Sequence, residues 1–281
     1  MFKRISALVI SLFLLFSIIS CDKENAEHEA SEGSTALTTI QTTEQTTAAE
    51  ITSSVPDKIN VKIANYNIHN GADVEYRYSL LAQDIVNEGA EIVALQEIDY
   101  KTARNGNQDT LAVLANKTGL QYYRFAPAMD YQGGQYGVGL LSKYPITETE
   151  IINLPAKVSS DEPRVCLHAK IDINGFVFDY FVTHLNNNAA KESLLAISKV
   201  SALCAPFIIS GDFNTDQYSL FSNVLNSYIV SNDKNKIMTS DEYAFDNFVL
   251  SNKITYKNAY AKDTGHSDHY ILVCDVTIPT K

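Results

Sequence analysis

The chain has 281 residues, of which 45% are hydrophobic and 20% charged, and this composition is sufficient for one sizeable globular domain. Its formal net charge is −11, and residues 57–281 alone carry 19 basic and 26 acidic side chains, a net of −7. An acidic surface gives no general attraction to nucleic acid or anionic lipid, so polyanion binding is disfavoured unless a bound divalent cation reverses the local field.

The N-terminal residues have the features of an export signal. Two basic residues, Lys3 and Arg4, precede an apolar run over residues 5–19 that is too short for a transmembrane helix. The sequence IISC, which ends at Cys21, resembles a bacterial lipobox. We therefore predict a lipoprotein signal peptide over residues 1–20, with Cys21 lipid-modified and holding an exported protein to a membrane on its extracytoplasmic side. The alternative is an ordinary signal peptide followed by an accidental cysteine.

Residues 21–56 are rich in Thr, Ser, Glu and Ala and contain few large apolar side chains. Such a segment cannot bury enough surface to offset the entropy lost on ordering, so we predict a disordered tether rather than a short surface helix. The remaining residues, 57–281, are predicted to form one catalytic domain. It contains three cysteines, an odd number, and none of the local Cys and His spacings of a zinc site, so we expect no structural zinc.

Hydrophobic periodicity predicts alternating strands and helices in the first part of this domain. Strands are expected over 60–67 and 91–97, and helices over 76–89 and 109–120, each ending at a glycine. Five strand-like segments rich in β-branched or aromatic residues follow, with the sequences YYRFAPA, YGVGLLS, ITETEIINL, RVCLHAKI and FVFDYFVTHL. A helix over 188–204, a strand ending in SGDFN, a weaker helix over 218–225 and strands near 243–250 and 270–276 complete the pattern. It fits an α/β sandwich of two mixed sheets with helices outside.

Several of these apolar strands end in polar side chains. They are Asn67, His69, Gln96, Glu97, His184, Asp212, Asn214, Asp246, Asp268 and His269. Each has an ordinary explanation as a cap or a solvated strand end, but strand ends at one edge of a sandwich converge, and binding residues tend to lie there. Carboxylate and amide oxygens suit Mg²⁺ or Mn²⁺, and a histidine beside an aspartate suits proton transfer.

The segment GDFN shows how this clustering would arise. Side chains alternate along an extended chain, so Asp212 and Asn214 are expected to point one way and Phe213 the other.

Eight sequence segments resemble, in order, those of the endonuclease/exonuclease/phosphatase superfamily, most closely its exported bacterial metal-dependent hydrolases. They are NYNIHNG, VALQEID, GGQYGVGLLSKYPI, EPRVCLHAKI, VTHLN, SGDFNT, FDNFVLS and SDHYILV, and the resemblance covers essentially residues 60–278. The resemblance implies a deoxyribonuclease-like four-layer α/β sandwich of two mixed β-sheets flanked by helices. It also implies a phosphoester hydrolase that uses Mg²⁺ or Mn²⁺.

The resemblance further assigns roles to individual residues. Asn67, Glu97 and Asp268 are expected to bind the metal ion. The catalytic group is expected to comprise His184, Asp212, Asn214, Asp246 and His269. Within it, Asp212 orients or deprotonates the attacking water, and Asn214 and His184 donate to phosphate oxygens. His269, paired with Asp246, contacts the phosphate or shares in the proton transfer.

Three further residues are expected to bind substrate. Arg164 is expected to line the pocket near the phosphate, and His69 to act as a ligand or a pocket wall. Tyr136 is expected to stack on a base or a ring, the alternative being that it packs in the core.

The substrate itself stays open at this stage. The leading expectation is a phosphodiester, or a phosphomonoester, that is a small molecule or a lipid head group and is hydrolysed outside the cell by a monomeric enzyme. An extracellular nuclease is the alternative with the same chemistry, although the acidic domain and the lack of Trp weigh against it. A non-catalytic surface-binding lipoprotein is the alternative from another class, but a pure binder does not need this set of residues.

Overall fold

A computed structural model describes residues 55–204 and 206–281. The predicted signal peptide and nearly all of the predicted tether lie outside the described residues. No helix within the described part of the chain has the length and apolar character needed to cross a membrane.

The described residues form two β-sheets with helices on their outer faces. The strands are β1 (Lys58–Asn67), β2 (Ile92–Tyr100), β3 (Tyr122–Tyr131), β4 (Gly134–Ser142), β5 (Ile146–Asn153), β6 (Val165–Ile173), β7 (Phe176–His184), β8 (Phe207–Asp212), β9 (Ser227–Ile229), β10 (Asp246–Ser251), β11 (Thr255–Lys262) and β12 (Ile271–Pro279). The helices are α1 (Tyr78–Glu88), α2 (Thr110–Thr118) and α3 (Ala190–Ser201), with 3-10 helices at His69–Val74, Asn187–Ala189 and Tyr218–Asn223.

Each sheet has six strands of mixed direction. Sheet A has the order β11-β12-β1-β2-β4-β3, and sheet B the order β5-β6-β7-β8-β10-β9. The pairs β1–β2 and β7–β8 are parallel, and the other neighbouring pairs are antiparallel. Both parallel pairs are connected through helices, as parallel strands require.

The hydrophobic side chains divide the domain into four layers. One buried cluster, which includes Ile63 and Tyr180, lies between the two sheets. A second, with Leu81 and Leu114, packs α1 and α2 on the outer face of sheet A, and a third, with Leu194, packs α3 on the outer face of sheet B. The predicted fold class, a four-layer α/β sandwich of two mixed sheets, is confirmed.

The predicted helices and strands agree with the structure except in the last third of the chain. β11 was not predicted, because it is an edge strand with alternating exposed polar residues and a register shift between Lys257 and Tyr260. β9 has only three residues, and the helix predicted over 218–225 is a 3-10 helix that ends at Asn223.

Candidate active site

The site lies at one end of the core between the two sheets, where the inward-facing side chains of the strands change from apolar to polar. In β1, Ile63 belongs to the core between the sheets, and Asn65 and Asn67 follow on the same face because side chains alternate along a strand. In β8, the corresponding face carries Ser210 and Asp212. All four polar side chains are buried. The site is therefore the polar end of the core between the sheets, and rigid strands hold its residues.

Strand register brings three of the predicted catalytic residues side by side. Asp212 of β8 is paired with His184 of the parallel strand β7 and with Asp246 of the antiparallel strand β10. Gly211 permits the close approach of β7 and β8, since a Cβ at this position would lie 2.4 Å from the Thr183 carbonyl oxygen. An acid, a histidine and a second acid thus occupy one row across sheet B.

The carboxylate of Asp212 is the centre of the cluster. Its Oδ1 accepts a hydrogen bond of 2.8 Å from the backbone N–H of Asn214. Its Oδ2 lies 3.1 Å from Asn67 Nδ2, 3.3 Å from His184 Nε2 and 3.7 Å from His269 Nε2. One buried carboxylate oxygen therefore faces an amide and two imidazoles contributed by both sheets.

His269 is held by Asp246. Its Nδ1 lies 2.7 Å from Asp246 Oδ2, so the ring directs Nε2 towards Asp212. Burial opposes charging of the ring, but the negative charges of Asp246, Asp212 and Asp268 outweigh it and raise the pKa of His269 to about 10. Without a bound cation, this imidazole is protonated at neutral pH.

His184 has the opposite protonation behaviour. Burial lowers the pKa of His184 to about 3, and the neighbouring positive charges of Arg164 and His269 act in the same direction, against Asp212. Nη1 of Arg164 lies 2.8 Å from His184 Nδ1. A guanidinium group can only donate, so Nδ1 is assigned as the acceptor, and the proton of the neutral ring is assigned to Nε2, which lies 3.3 Å from Asp212 Oδ2. That N–H points at the centre of the cluster.

Arg164 is itself fixed by two neighbours. Its Nη1 pairs with Glu162 at 2.9 Å, and its Nε donates to Asn186 Oδ1 at 3.2 Å. Arg164 therefore contacts His184, one of the predicted catalytic residues; its contact with a phosphate stays a prediction.

Glu97 reaches the site through a break in β2. The register of β2 against β4 shifts between Leu95 and Ile98, and Glu97 has a φ of 60°, in the left-handed region. Its Oε1 accepts a hydrogen bond of 3.2 Å from Asn67 Nδ2. Burial raises the pKa of Glu97, and the charges of Asp268 and Asp212 raise it further. The ionised carboxylate of Glu97 therefore lowers the stability of the folded protein when no cation is bound beside it.

Asp268 and His69 lie at the rim of the site. His69 Nδ1 lies 2.8 Å from Asp73 Oδ2 and 3.8 Å from Asp268 Oδ2, and these three residues form a group with the geometry to hold a metal ion. Asp73 was not predicted from the sequence, because it lies in a 3-10 helix and not at a strand end. Ser267 Oγ donates to the Asn67 backbone oxygen at 2.7 Å and so connects the segment bearing Asp268 to β1.

Tyr136 occupies the neighbouring part of β4. It is 6% exposed, and burial together with the charges of Glu97 and Glu162 raises its pKa, while Arg164 opposes this. Its hydroxyl therefore lies in the field of residues from both the predicted metal site and the phosphate site. Stacking of Tyr136 on a substrate ring stays a prediction.

Asn214 reaches the site by a route that the alternation argument did not predict. Phe213 packs in the core beneath α3, opposite Asp212, as expected. β8 ends at Asp212, however, and Asn214 has a φ of 50°, so the chain is no longer extended there. Its Nδ2 donates to the Leu185 carbonyl at 2.9 Å. The same Nδ2 lies 3.0 Å from His184 Nε2, and because both groups carry protons in the tautomer assigned above, this is a contact and not a hydrogen bond.

A buried network beneath the site joins the two sheets, and sequence reasoning assigned it no role. Asn65 Nδ2 donates to Asp246 Oδ1 at 2.8 Å and to Gln96 Oε1 at 3.1 Å. Asn65 Oδ1 accepts from Gln96 Nε2 at 3.0 Å and from Ser210 Oγ at 3.1 Å. The available signal was the two-residue spacing of Asn65 from the inward-facing Ile63.

The site consists of carboxylate, amide and imidazole groups around one buried aspartate, at the polar end of the core between two mixed sheets. The profile of the Endonuclease/Exonuclease/phosphatase family matches residues 64–269, and the chain belongs to this family. Members of the family are hydrolases that act on phosphoesters.

Solved structures share this fold at low sequence identity. An endonuclease/exonuclease/phosphatase from Beutenbergia cavernae is 16% identical, with a TM-score of 0.64 over 78% of this chain and 72% of that chain. The mannosyl-6-phosphatase of Bacteroides thetaiotaomicron is 18% identical, with a TM-score of 0.58 over 77% and 99%. D. rerio TDP2, complexed with single strand DNA product, is 20% identical, with a TM-score of 0.57 over 77% and 98%.

Proposed function

We propose that the protein is a divalent-metal-dependent phosphoesterase that hydrolyses a phosphodiester, or a phosphomonoester, by in-line attack of water. The observation that carries this proposal is the surroundings of Asp212 Oδ2, with Asn67, His184 and His269 nitrogens 3.1, 3.3 and 3.7 Å away. The backbone hydrogen bond to Oδ1 fixes the carboxylate, so that Oδ2 would be held in place to accept a hydrogen bond from the attacking water. This geometry suits a general base or a water-positioning group.

The two histidines have separate tasks in this scheme. His184 is neutral with its proton on Nε2, so it donates to a non-bridging phosphate oxygen as charge develops there, an oxyanion-type stabilisation. His269 is held by Asp246 and directs Nε2 at the same region, where the protonated ring donates to the phosphate. A cation bound nearby would favour the neutral ring, which would instead receive the proton that Asp212 takes from water. Asn214 supplies a further amide beside His184.

The residues around Glu97 fit a hard divalent cation. Within the described residues, no Lys or Arg pairs with the carboxylates of Glu97, Asp212 or Asp268. Asn67 Oδ1 accepts one hydrogen bond, from His69 N–H, and has a second lone pair for a metal ion. Glu97, Asn67 and Asp268 would hold Mg²⁺ or Mn²⁺. Bound there, the ion would neutralise charge on the phosphate in the transition state.

A comparison of two chromogenic substrates tests the chemistry. Hydrolysis of bis-p-nitrophenyl phosphate and p-nitrophenyl phosphate would be measured with Mg²⁺, with Mn²⁺ and with EDTA, beside the Asp212→Ala variant. Metal-dependent hydrolysis that is lost in the variant supports the proposal. Cleavage of the monoester alone would identify a phosphatase.

Two alternatives predict different results. A nuclease would degrade single-stranded DNA with Mg²⁺ and lose this activity with a chelator; the relative solved with a single strand DNA product favours including this assay. A non-catalytic binding protein would be inactive on a broad phosphoester panel while binding a ligand tightly.

We also propose that the enzyme is exported and acts outside the cell, anchored by lipid on Cys21. The support is the sequence of residues 1–21 alone. Incorporation of a labelled fatty acid into the wild-type protein, but not into Cys21→Ser, tests the anchor. Soluble, unlabelled wild-type protein would contradict it.

A further inference from the structure

A cavity of about 460 Å³ adjoins the catalytic residues. Asn214, Asp268 and His269 line one side of it. The lining also includes residues 239–243 with Phe245, and Asp263 and Tyr270. A group attached to a phosphate at the catalytic cluster would therefore enter this cavity, whose volume falls in the range of about 300–1,000 Å³ usual for small-molecule sites.

The cavity has an aromatic platform. The rings of Tyr243 and Phe245 stack with centroids 4.5 Å apart and an interplanar angle of 12°, and Tyr243 is 47% exposed. The Tyr243 carbonyl accepts hydrogen bonds from the backbone N–H groups of Thr239 and Ser240, at 3.0 and 3.1 Å. The Phe245 carbonyl accepts one from Phe213 N–H, at 2.8 Å. The platform is thus fixed directly to the strand end that carries Asp212.

The cavity is acidic. Its lining includes four carboxylates and one histidine, and no Lys or Arg. The carboxylates are those of Asp241, Glu242, Asp263 and Asp268. The Tyr270 hydroxyl donates to Asp241, and Asp268 lies 3.8 Å from His69. Within the described residues, Glu242 and Asp263 form no ion pair, so their remaining lone pairs can accept hydrogen bonds. A second phosphate group in this cavity would be repelled, whereas hydroxyl groups would find acceptors.

From this geometry we infer that the cavity binds a neutral, hydroxyl-rich ring, a sugar or a cyclitol without further phosphates, joined to the phosphate that is hydrolysed. This inference rests on the proposed function and names its substrate class. A sugar ring stacks its C–H face on one aromatic surface and donates hydroxyls to carboxylates. A quaternary ammonium group is usually enclosed by several aromatic faces, and two rings stacked on each other present one platform.

Matched substrate pairs test the inference. In the diester arm, glycerophosphoinositol is compared with glycerophosphocholine. Both contain glycerol phosphate, but only the first carries a ring for the cavity to bind; the second carries the acyclic choline group. In the monoester arm, a hexose 6-phosphate is compared with glycerol 3-phosphate, which has no ring. We expect the ring-bearing substrate to have the higher kcat/KM in whichever arm is active. A preference for the inositol ester in the diester arm would identify a cyclitol, and a preference for the hexose phosphate in the monoester arm would identify a sugar.

Variants of the platform provide the second readout. Tyr243→Ala should raise KM for the ring-bearing substrate about tenfold and leave kcat within about twofold, since stacking contributes to binding and not to the reacting atoms. Tyr243→Phe should restore KM, and Tyr122→Ala, which removes an exposed tyrosine on β3, should change nothing. Glu242→Gln combined with Asp263→Asn should increase kcat/KM for a hexose bisphosphate relative to the monophosphate.

The outcomes separate the two proposals. No turnover of any phosphoester with Mg²⁺ or Mn²⁺ would contradict the proposed function. Turnover with a preference for the choline ester or a dinucleotide would overturn the inference and leave the function standing. An equal effect of Tyr243→Ala on ring-bearing and ringless substrates would also overturn it.

Discussion

The Arg164 guanidinium lies 2.8 Å from His184 Nδ1 and fixes which nitrogen of that ring carries the proton. Removing this donor should release the tautomer without removing the histidine. We expect Arg164→Met to lower kcat about 10- to 100-fold, because Nε2 would no longer always present a proton to the phosphate. The ¹⁵N chemical shifts of His184 should change from one neutral tautomer to a mixture.

Arg124→Met, an exposed arginine on β3, is the control and should keep both kcat and the His184 spectrum. Unchanged kcat and an unchanged tautomer in Arg164→Met would show that the arginine does not position His184.

Asp212 should be indispensable for turnover but not for folding. Asp212→Asn keeps the shape of the side chain and removes the charge that orients or deprotonates water. We expect kcat to fall about a thousandfold or more, with a far-UV circular dichroism spectrum like that of the wild type. Asp275→Asn, on β12 and outside the cluster around Asp212, is the matched control. Activity within a few-fold of wild type in Asp212→Asn would remove this residue from the mechanism.

Glu97 should have opposite effects on stability with and without metal. Its pKa is raised by burial and by Asp268 and Asp212, so Glu97→Gln should increase thermal stability in EDTA by relieving repulsion. With Mg²⁺ the order should reverse, since a bound ion stabilises the wild type by about 2.7 kcal/mol at a hundred times its Kd. The metal concentration for half-maximal activity should rise about tenfold or more in the variant.

Thermal melts of wild type, Glu97→Gln and Glu150→Gln across a Mg²⁺ titration check this expectation. Glu150 is an exposed carboxylate on β5 and should behave as wild type. Equal Mg²⁺-dependent stabilisation of wild type and Glu97→Gln would exclude Glu97 as a ligand.

Local pattern in the sequence predicted which faces of the strands are buried and which strand ends carry chemistry. Two-residue alternation places Phe213 in the buried cluster on the outer face of sheet B, opposite Asp212. The alignment of strand ends at one edge of the sheet brings His184, Asp212 and Asp246 together. The fold class was predictable for the same reason, because the order of strands and helices limits the architecture.

Features that depend on long-range contacts or unusual backbone could not be predicted in this way. Glu97 reaches the site through a bulge and a positive φ, for which the segment VALQEID contains no glycine or proline signal. The hydrogen bond from Asn65 to Asp246 joins residues 181 positions apart. Pairings at that distance are set by how two sheets stack, which no local window contains.

The Asn65 network should contribute to both stability and activity. Asn65→Ala leaves Gln96, Ser210 and the buried Asp246 carboxylate each short of a partner. We expect the free energy of unfolding to fall by about 3 kcal/mol, because unsatisfied buried polar groups cost about 1–3 kcal/mol each and charged ones more. Turnover should also fall, since Asp246 would hold His269 less firmly.

Urea unfolding with linear extrapolation measures this change. Asn60→Ala, at an exposed position on the same strand, is the control and should lose less than about 0.5 kcal/mol. A loss in Asn65→Ala as small as that of the control would mean that the network is energetically unimportant.

Acid destabilisation should depend on His184. Its pKa is about 3 in the folded protein because it is buried, against about 6.5 in an unfolded chain, so the unfolded state binds more protons between these values. The free energy of unfolding should therefore fall as pH decreases from about 6.5 towards 3, by about 1.4 kcal/mol per pH unit for this one group. The charges facing His184 are Asp212, Arg164 and His269, and only Asp212 opposes the shift. Urea unfolding in EDTA between pH 7 and 4.5, compared for wild type and His184→Gln, isolates its contribution. The variant should lose less stability over this interval, because a glutamine at this position takes up no proton on unfolding; parallel curves would show that His184 charges freely in the folded protein.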